Sequence, residues 1–518
     1  MRTIKSLTVV ACLILATLVS CEKFIDEPQP IDTVSIDEIG NSTSGLETAL
    51  TGAWAWWTAP QSYVGNAMIY PEAMADYANN TFARQQRADA EAYRRDFETS
   101  GYGLIGEFGQ RVSRAENLAN QVILSARDNQ PQDEGFASNK DRLLGEGLFL
   151  RSWIHFEYAK MSGIQWNTKN PGENIDALGP MIRFKPVLSL EDLAQARTPV
   201  AAAYDSIISG LKQAEMLLPE FYDAGKHDAS FQVRASRDAA STLLAKVYWQ
   251  QNDFDNALIH INKAIGSIPG QSDYPLANDF TQVYNRTGTT GTTNTADKSE
   301  VILEYVAAAP SKISTRNGQA LSNTWWRDGR TNLYFTEYFQ NLAQFDTIND
   351  RRYLELINPN FTQSRGNVTD EDNAWSTLKF FNESNVAIFR SAELLLMRAE
   401  IFARRGQTTD ALADLNYIRS RAGITSLTNS TNLIEEILTE RIREMHAEGY
   451  RVHDLRRLGS LTDGEPNEVF ILPGARDLSD AQDCGYPGAC VPIKWNDLIL
   501  IWRLPQSEID INPLATNP

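Results

Sequence analysis

One stretch decides the fold class of this chain: Glu440–Arg457, which reads ERIREMHAEGYRVHDLRR. Glu440, Glu444 and Glu448 are four residues apart, so a helix would place their carboxylates on one face. The arginines available for pairing with them are Arg441, Arg443 and Arg451. We interpret this segment as a structural charge network that maintains the fold, and not as a ligand site.

Helical periodicity dominates the chain around this stretch. Apolar residues recur three and four apart over residues 107–124, 143–161, 201–217, 237–250, 256–265, 392–404, 409–421 and 433–447. Alternation typical of strands is rare, and short strands are predicted at most over 301–307 and 498–504. The predicted fold class is therefore mainly α.

Two helical pairs match the template of a tetratricopeptide-like repeat, in which small residues let antiparallel helices pack closely. The first pair carries the repeat residues Leu244, Ala245, Tyr248, Ala257, Ile261, Ala264 and Pro269. The second carries Leu395, Ala399, Phe402, Ala411, Leu415 and Ile418, with Gly423 where proline would close the unit. We predict a scaffold of stacked helical hairpins, with units near 107–161, 201–269 and 392–447; generic hairpins are the alternative.

Two long irregular regions interrupt the scaffold, at residues 57–106 and 266–386. Loops of this length in a compact protein are usually functional or disordered. The second region contains a group of aromatic residues that a disordered linker would not keep together: Trp325, Trp326, Tyr334, Phe335, Tyr338 and Phe339. This content favours a functional surface.

The N-terminus carries a compartment signal. Arg2 and Lys5 precede an apolar run of residues 7–18 that is too short to span a bilayer. The run ends in small residues before Cys21, as in lipoprotein signals, so we predict a signal peptide over 1–20, acyl chains on Cys21 and an extended tether over 21–42. An ordinary secretory signal is the alternative. The short, charged and net-acidic stretch of residues 22–27 resembles signals that send lipoproteins to the outer face of the outer membrane.

Cysteine usage fits an oxidising compartment. Once Cys12 leaves with the signal and Cys21 takes lipid, Cys484 and Cys490 remain. Gly and Pro residues between them permit a tight turn, so we predict a local disulfide. Two thiols alone are poor evidence for a metal site.

The charge balance excludes one class of partner. The chain has 518 residues, with 66 acidic against 48 basic side chains and a net charge of −18. Phosphate binding needs clustered Lys and Arg, and the mature chain has no long basic run. We therefore expect no nucleic-acid partner.

Several motifs together resemble the SusD/RagB family over nearly the whole mature chain. The stretch 440–457 and the preceding Asn416–Gly423 carry the strongest likeness, and the chain closes on Leu504–Ile509 as members of the family do. N-terminal motifs agree: they are Phe24–Pro28, Glu72 with Met74–Asp76, Ala115–Asn120 and Gly145–Arg151. Gly147 and Ser152 depart from the alanines usual in the last motif.

The resemblance implies one SusD-like domain over 43–518 in a lipoprotein anchored to the outer membrane and facing outward. It also implies a partner, a SusC-like TonB-dependent transporter, to which the protein delivers captured oligosaccharides. Some members serve peptide uptake instead, so a peptide-binding lipoprotein of the same fold stays open. A surface hydrolase is a further alternative.

Candidate ligand residues follow from the chemistry of a glycan, which presents apolar C–H faces and a rim of hydroxyls. Trp325 and Trp326 are followed by Arg327 and Asp328. Adjacent tryptophans cannot easily both be buried on one face of a helix or strand. At least one of the two is therefore predicted to be exposed and to bind sugar.

The other candidates lie in the first irregular region. Trp54 is predicted to fill the core and Trp57 to lie on the surface at the end of the first helix. Tyr77 and Asn80 are predicted to complete a pocket with the Trp325 loop. Ordinary packing is the alternative for each of these residues.

Evidence for catalysis is weak. The five histidines show no His-Glu-x-x-His spacing, which argues against a zinc hydrolase. Carboxylates are abundant, so the sequence alone leaves open a catalytic pair of carboxylates as in a glycosidase, although the repeat scaffold argues against it. We predict a binding protein that is no enzyme and uses no cofactor or metal.

Overall fold

The computed structural model describes residues 39–76, 78–80, 88–95, 97, 99, 104–128, 130–221, 233–284, 300–305, 321–325, 332–335, 337–359, 375–380, 385–462 and 493–518. The α-helices of these ranges are α1 (Thr43–Trp57), α2 (Met68–Ala73), α3 (Ala88–Arg94), α4 (Leu104–Arg127), α5 (Phe136–Ser162), α6 (Val200–Leu217), α7 (Arg237–Gln250), α8 (Phe254–Ile265), α9 (Phe280–Val283), α10 (Leu321–Trp325), α11 (Glu337–Ala343), α12 (Arg351–Leu356), α13 (Ser391–Arg404), α14 (Thr408–Arg421), α15 (Leu433–Met445), α16 (Arg451–Thr462) and α17 (Gln506–Ile511). The strands are β1 (Ala78–Asn80), β2 (Val301–Tyr305), β3 (Leu333–Phe335), β4 (Ile357–Asn358), β5 (Ser376–Thr377) and β6 (Val386–Arg390).

The mainly helical prediction is confirmed, and the strands form small antiparallel pairs: β1 with β3, β2 with β6, and β4 with β5. The predicted strand over 301–307 is present as Val301–Tyr305. The predicted strand over 498–504 is wrong, because Leu498–Leu500 forms a 3-10 turn. Asp497 favours that turn, since its side chain accepts a hydrogen bond of 2.9 Å from the backbone N–H of Ile499.

The long helices pack as a continuous series of hairpins. α1 packs on α4, α4 on α5, α5 on α6, α6 on α7 and α7 on α8. α8 then contacts α13, which packs against both α14 and α15. One main hydrophobic core runs along this series, so the hairpins bury one another's apolar faces as repeat units do.

The two predicted repeat pairs are the hairpins α7–α8 and α13–α14, and they turn in the same way. Asn252 at φ 57° and Gly406 at φ 71° occupy the same left-handed position between their helices. In each hairpin the next residue donates its backbone N–H to the same helical carbonyl: Asp253 to Tyr248 and Gln407 to Phe402, both at 2.9 Å. This shared geometry supports the repeat reading.

A buried arginine joins the two repeat pairs. Arg398 on α13 makes a two-pronged ion pair with Asp414 on α14, with both contacts at 2.8 Å. Its remaining nitrogen donates to Asn262 Oδ1 at 2.8 Å and to the carbonyl of Gly266 at the end of α8. The guanidinium therefore fixes one hairpin against the next, because its planar N–H donors point at acceptors on both hairpins.

The stretch that identified the fold is only partly helical. α15 ends at Met445, so Glu440 and Glu444 lie on the helix while Glu448 follows in a turn. Gly449 in that turn has φ +84°, and a Cβ there would come within 2.8 Å of the Cα of Met68. The prediction of three glutamates on one helix face is therefore wrong for Glu448.

These glutamates form the centre of a buried ion cluster, as predicted, but most of their partners come from distant segments. Arg390 donates to Glu444 at 2.7 Å and to Glu448 at 2.8 Å. Arg352 reaches Glu444 at 3.2 Å. The further members of the cluster are Glu300, Asp350, Lys379, Arg419, Arg421, Glu440 and Arg443. Of the arginines predicted to pair with the three glutamates, Arg443 does so, while Arg441 and Arg451 pair with Asp454 and Asp76.

The cluster keeps its groups charged although water is excluded. Burial alone would raise the pKa of Glu444, but the positive charges of Arg421 and Arg390 outweigh it and hold that pKa well below its usual range. Burial lowers the pKa of Lys379 to about 8, against the opposing pull of Glu448. Buried charges that satisfy one another in this way are a structural device, which agrees with the prediction of a role in fold maintenance.

The histidines of the same region provide a pH-dependent prediction. Burial lowers the pKa of His446 and His453 well below the usual value, and lowers that of His155. The unfolded chain would protonate these rings near pH 6.5, so the folded state binds fewer protons below that pH. We therefore expect the free energy of unfolding to fall as the pH drops from about 6.5 to 5.

His453→Leu tests this expectation, because neither ring nitrogen of His453 has a hydrogen-bond partner among the described residues. Between pH 6 and 5, the free energy of unfolding of the variant should fall less steeply than that of the wild type, by up to about 1.4 kcal/mol per pH unit. Urea denaturation at each pH measures the difference. Asp238, whose pKa burial raises to about 6, opposes the trend equally in both proteins. From pH 7 to 8 the two stability curves should run parallel. An unchanged acid slope would contradict the assignment of a neutral buried His453.

Candidate functional site

The two regions predicted to be irregular, residues 57–106 and 266–386, meet in a pair of β-strands. β1 belongs to the first region and β3 to the second, and they pair antiparallel with Ala78 opposite Phe335 and Asn80 opposite Leu333. Phe335 also exchanges backbone hydrogen bonds with Trp375, at 2.7 and 3.2 Å. This junction, residues 78–80 and 333–335, brings together the segments in which ligand residues were predicted.

Hydrogen bonds and an ion pair hold the segment just before β1 to the helical scaffold. The Glu72 carboxylate accepts from the backbone N–H groups of Gly449 and Tyr450, both at 2.7 Å, just before α16 begins. A carboxylate is stabilised at such a helix N-terminus. Asp76 pairs with Arg451 through both carboxylate oxygens, at 2.7 and 2.5 Å. Two motifs that carried the family resemblance, around Glu72 and around residue 450, therefore contact each other directly.

Some predicted ligand residues of the junction are buried. Trp325 is 0% exposed and packs on Phe335 with ring centroids 5.0 Å apart. Asn80 is 4% exposed. The structure therefore contradicts a surface role for both residues, because β3 and the β1–β3 pairing cover them. Tyr77, Trp326, Arg327 and Asp328 lie outside the described residues, and the prediction for them stands untested.

Trp57 is also in the core, so its prediction as a surface residue is wrong. Its ring is 0% exposed and lies 5.4 Å from both Tyr63 and Trp153. α1 continues through residue 57, and the three-residue spacing from Trp54 places both tryptophans on the buried face. Trp54 fills the core as predicted.

Trp56 is the tryptophan of this group that reaches the surface, and sequence reasoning passed over it. It is half-buried and lines a cleft of about 410 Å³ between α1, α4 and the segment 182–193. The remaining lining residues are Ser113, Arg114, Glu116, Asn117, Leu118, Asn120, Arg183, Lys185, Val187, Leu193 and Glu508. The helical spacing of α1 would have identified Trp56 as the tryptophan nearer the surface, since it lies one position off the buried apolar stripe.

Positive charge surrounds the indole of Trp56. The guanidinium carbons of Arg114 and Arg111 lie 4.6 and 5.3 Å from its ring centroid. Lys185 lines the cleft, and Arg151 donates to Asn120 Oδ1 at 3.3 Å beside it. Burial and the nearby charge of Arg127 lower the pKa of Arg151 to about 10.

The two glutamates of the cleft are already engaged. Glu116 Oε1 accepts from the backbone N–H of Arg183 at 2.8 Å and lies 2.8 Å from His155 Nε2. Glu508 pairs with the Arg183 side chain at 2.7 Å. Asn117 accepts from the Val187 N–H at 2.6 Å through its oxygen. These contacts bind the segment 182–193 to α4 and form the wall of the cleft.

Within the described ranges, no group of three or more His, Cys, Asp or Glu residues could hold a metal ion. Within the same ranges, every helix is too short or too polar to cross a bilayer. The predicted lipidation of Cys21 and the disulfide between Cys484 and Cys490 lie outside the described residues.

Two family models match the chain. A model described as the SusD family matches residues 272–514, and one described as starch-binding associating with outer membrane matches residues 23–249. Among individual proteins, SusD-like protein P38 of Formosa agariphila is 24% identical over 495 residues, covering 87% of this chain and 91% of that protein.

Solved structures share the fold. A SusD superfamily protein from Bacteroides thetaiotaomicron superposes with a TM-score of 0.72 at 21% identity, covering 94% of this chain and 100% of that chain. A SusD-like carbohydrate binding protein from Bacteroides vulgatus has a TM-score of 0.69 at 16% identity, covering 92% and 97%. A laminarin binding SusD-like protein has a TM-score of 0.66 at 18% identity, covering 92% and 99%. At these identities the superpositions establish the fold.

Proposed function

Because this chain belongs to the SusD/RagB family, we propose that it is a cell-surface glycan-binding lipoprotein of the outer membrane. It captures oligosaccharides by non-covalent contacts and delivers them to a SusC-like TonB-dependent transporter. The anchor is an acylated Cys21 in this proposal, and the protein has no catalytic role. An anchored receptor raises the ligand concentration at the transporter mouth, so that even weak stacking contacts become effective.

The observation that carries this proposal is the pairing of β1 with β3. It joins the regions 57–106 and 266–386, in which the candidate ligand residues were predicted, in one antiparallel strand pair. A site on rigid elements positions its ligand-binding loops with little entropy cost. The names of two structural neighbours, a carbohydrate binding protein and a laminarin binding protein, support a glycan as the ligand.

Trp326 is the residue we propose as the sugar platform, with Arg327 and Asp328 as hydrogen-bonding partners and Tyr77 from the other region. Its neighbour Trp325 ends α10 and is buried against Phe335. Adjacent tryptophans cannot easily both be buried on one face of a helix or strand, so the burial of Trp325 leaves Trp326 as the candidate of the pair. The local disulfide between Cys484 and Cys490 remains part of the proposal.

Isothermal titration of the protein truncated after Cys21 tests the proposal against plant, algal, fungal and host polysaccharides and mixed oligopeptides. We expect saturable binding of one glycan class without release of product. Trp326→Ala should weaken it at least about tenfold, because an aromatic stacking surface is lost. Trp495→Ala removes a half-buried tryptophan elsewhere and serves as the matched control.

Each other outcome has a defined meaning. Binding of oligopeptides alone would replace the glycan receptor by a peptide receptor of the same fold. Release of shortened glycan would show a surface hydrolase. If Trp326→Ala and Trp495→Ala lose glycan affinity equally, Trp326 is rejected as the sugar platform. The assignment of the protein as a glycan receptor would still stand.

A further inference from the structure

We propose that the Trp56 cleft is a second binding site, which takes a saccharide unit bearing a carboxylate or sulfate group. The cleft shares no lining residue with the β1–β3 junction. Its assignment therefore does not depend on where neutral glycan binds.

The shape of the cleft suits a small ligand. Its volume of about 410 Å³ lies within the range of natural ligand pockets, which is about 300–1,000 Å³. Its walls are hydrogen-bonded elements: Asn120 Nδ2 donates to the Arg183 carbonyl at 3.0 Å, and Asn117 accepts from Val187. A pocket with fixed walls binds its ligand with a smaller loss of conformational entropy, because its walls are already ordered.

The charge of the cleft favours an anion, which is unusual for a chain of net charge −18. Arg111, Arg114, Arg151 and Lys185 make no ion pair with a carboxylate among the described residues. The lining carboxylates are Glu116, which accepts from two internal donors, and Glu508, which is paired with Arg183.

Two acidic side chains lie near the rim and reduce this charge without cancelling it. Burial lowers the pKa of Arg111, and the negative charge of Glu107, one turn before it on α4, opposes that shift. Asp192 lies near Lys185, but its carboxylate accepts from the N–H groups of Leu188 and Ser189. The positive groups beside Trp56 thus remain available to a ligand.

The indole indicates that the anion is part of a sugar and is not a free ion. Trp56 is half-buried, and its remaining exposed surface offers an apolar contact to the C–H face of a pyranose. Arg114, whose guanidinium lies over the ring 4.6 Å from its centroid, can bind a carboxylate or sulfate in two-pronged fashion. The Asn117 amide N–H group has no partner among the described residues and can donate to a hydroxyl. An inorganic anion would use the cations and leave the ring unused.

Matched pairs of probes test this site by isothermal titration of the protein truncated after Cys21. Trigalacturonate is compared with its methyl ester, and sulfated maltotriose with maltotriose; each pair differs only in charge-bearing groups. We expect at least one acidic member to bind tenfold or more tightly than its neutral counterpart. The pair that shows the difference identifies carboxylate or sulfate as the recognised group.

Variants locate the binding. Trp56→Ala and Arg114→Gln should each weaken binding of the acidic probe at least tenfold, while Trp56→Phe should retain most of it because a ring remains. Arg237→Gln removes one exposed cation from the start of α7 and should change nothing. Thermal melts followed by circular dichroism confirm that each variant is folded.

The result also separates this site from the proposed glycan platform. Trp326→Ala should leave binding of the acidic probe unchanged, and Trp56→Ala should leave binding of a neutral glycan unchanged. Failure of every acidic probe to exceed its neutral partner would overturn the second site. So would full competition by inorganic sulfate with no effect of Trp56→Ala, or equal binding of oligoglutamate, since either would show a general anion site.

Discussion

Glu444→Gln should lower the free energy of unfolding by about 3–5 kcal/mol, the range seen when one partner of a buried ion pair is removed. The Glu444 side chain is almost fully buried and contacts Arg390 at 2.7 Å and Arg421 at 2.6 Å, with Arg352 at 3.2 Å. The amide keeps the shape but leaves these guanidiniums without their shared counter-charge. Urea denaturation followed by circular dichroism at pH 7.5 measures the loss.

Glu435→Gln is the matched control, because Glu435 lies on the same helix but is exposed. Its substitution should change the stability by less than about 0.5 kcal/mol. The low pKa of Glu444 adds a pH signature: its contribution is complete above about pH 4.3 and is lost as the pH falls toward the folded pKa. If the free energy of unfolding of Glu444→Gln lies within about 1 kcal/mol of the wild-type value, the cluster does not have the proposed role in stability.

Trp153→Ala should cost about 3–5 kcal/mol for a different reason, which is the cavity left in the aromatic core. Trp153 is fully buried on α5, with ring centroids 4.5 Å from Tyr63 and 5.4 Å from both Trp57 and Phe389. These neighbours come from α1, the turn after it and β6, so a collapse around the cavity would have to move three elements. Denaturation in urea checks the loss.

Trp153→Phe separates ring packing from hydrogen bonding. The indole N–H of Trp153 makes no hydrogen bond within the described residues, so the phenyl ring loses volume but no hydrogen bond. We expect it to recover more than about half of the stability lost in the alanine variant. Equal losses in both variants would show that the packing argument is wrong.

The scaffold was predictable because its signals are local. The spacing of Leu244, Tyr248 and Ile261 lies within one hairpin, and small residues at fixed offsets report a close helix contact directly. The strand predicted over 498–504 failed for an equally local reason: a capping aspartate at 497 competes with an apolar run.

The site was less predictable because tryptophan chemistry does not reveal orientation. Trp57 was chosen by its place at the end of a helix, although the helical period already assigned it to the buried face with Trp54. Trp325 is buried and Trp326 lies outside the described residues, so the prediction that one of the two is exposed and binds sugar stays untested. Trp56 acquires meaning only when α4 and the segment 182–193 close a cleft around it.

Apart from Arg443, which pairs with Glu440 as predicted, the ion partners of these glutamates could not have been found from the sequence. Glu448 was expected to pair with arginines on its own helix, but it pairs with Arg390 and Lys379, 58 and 69 residues away. Coulomb attraction has no sequence period, so a buried pair between distant segments leaves no local pattern.

The contact between Glu72 and Gly449 has a consequence for how the chain is made. These residues are 377 positions apart, so Glu72 leaves the ribosome long before the N–H groups that it binds in the finished fold. Residues of the ion cluster likewise come from segments synthesised far apart, and closing such long loops is slow and entropically costly. The early helical hairpins can form as they emerge, but their assembly must wait for the last hundred residues. A prematurely stopped chain would therefore expose charged and apolar surfaces together, which makes it a substrate for chaperones and proteases and not a smaller working receptor.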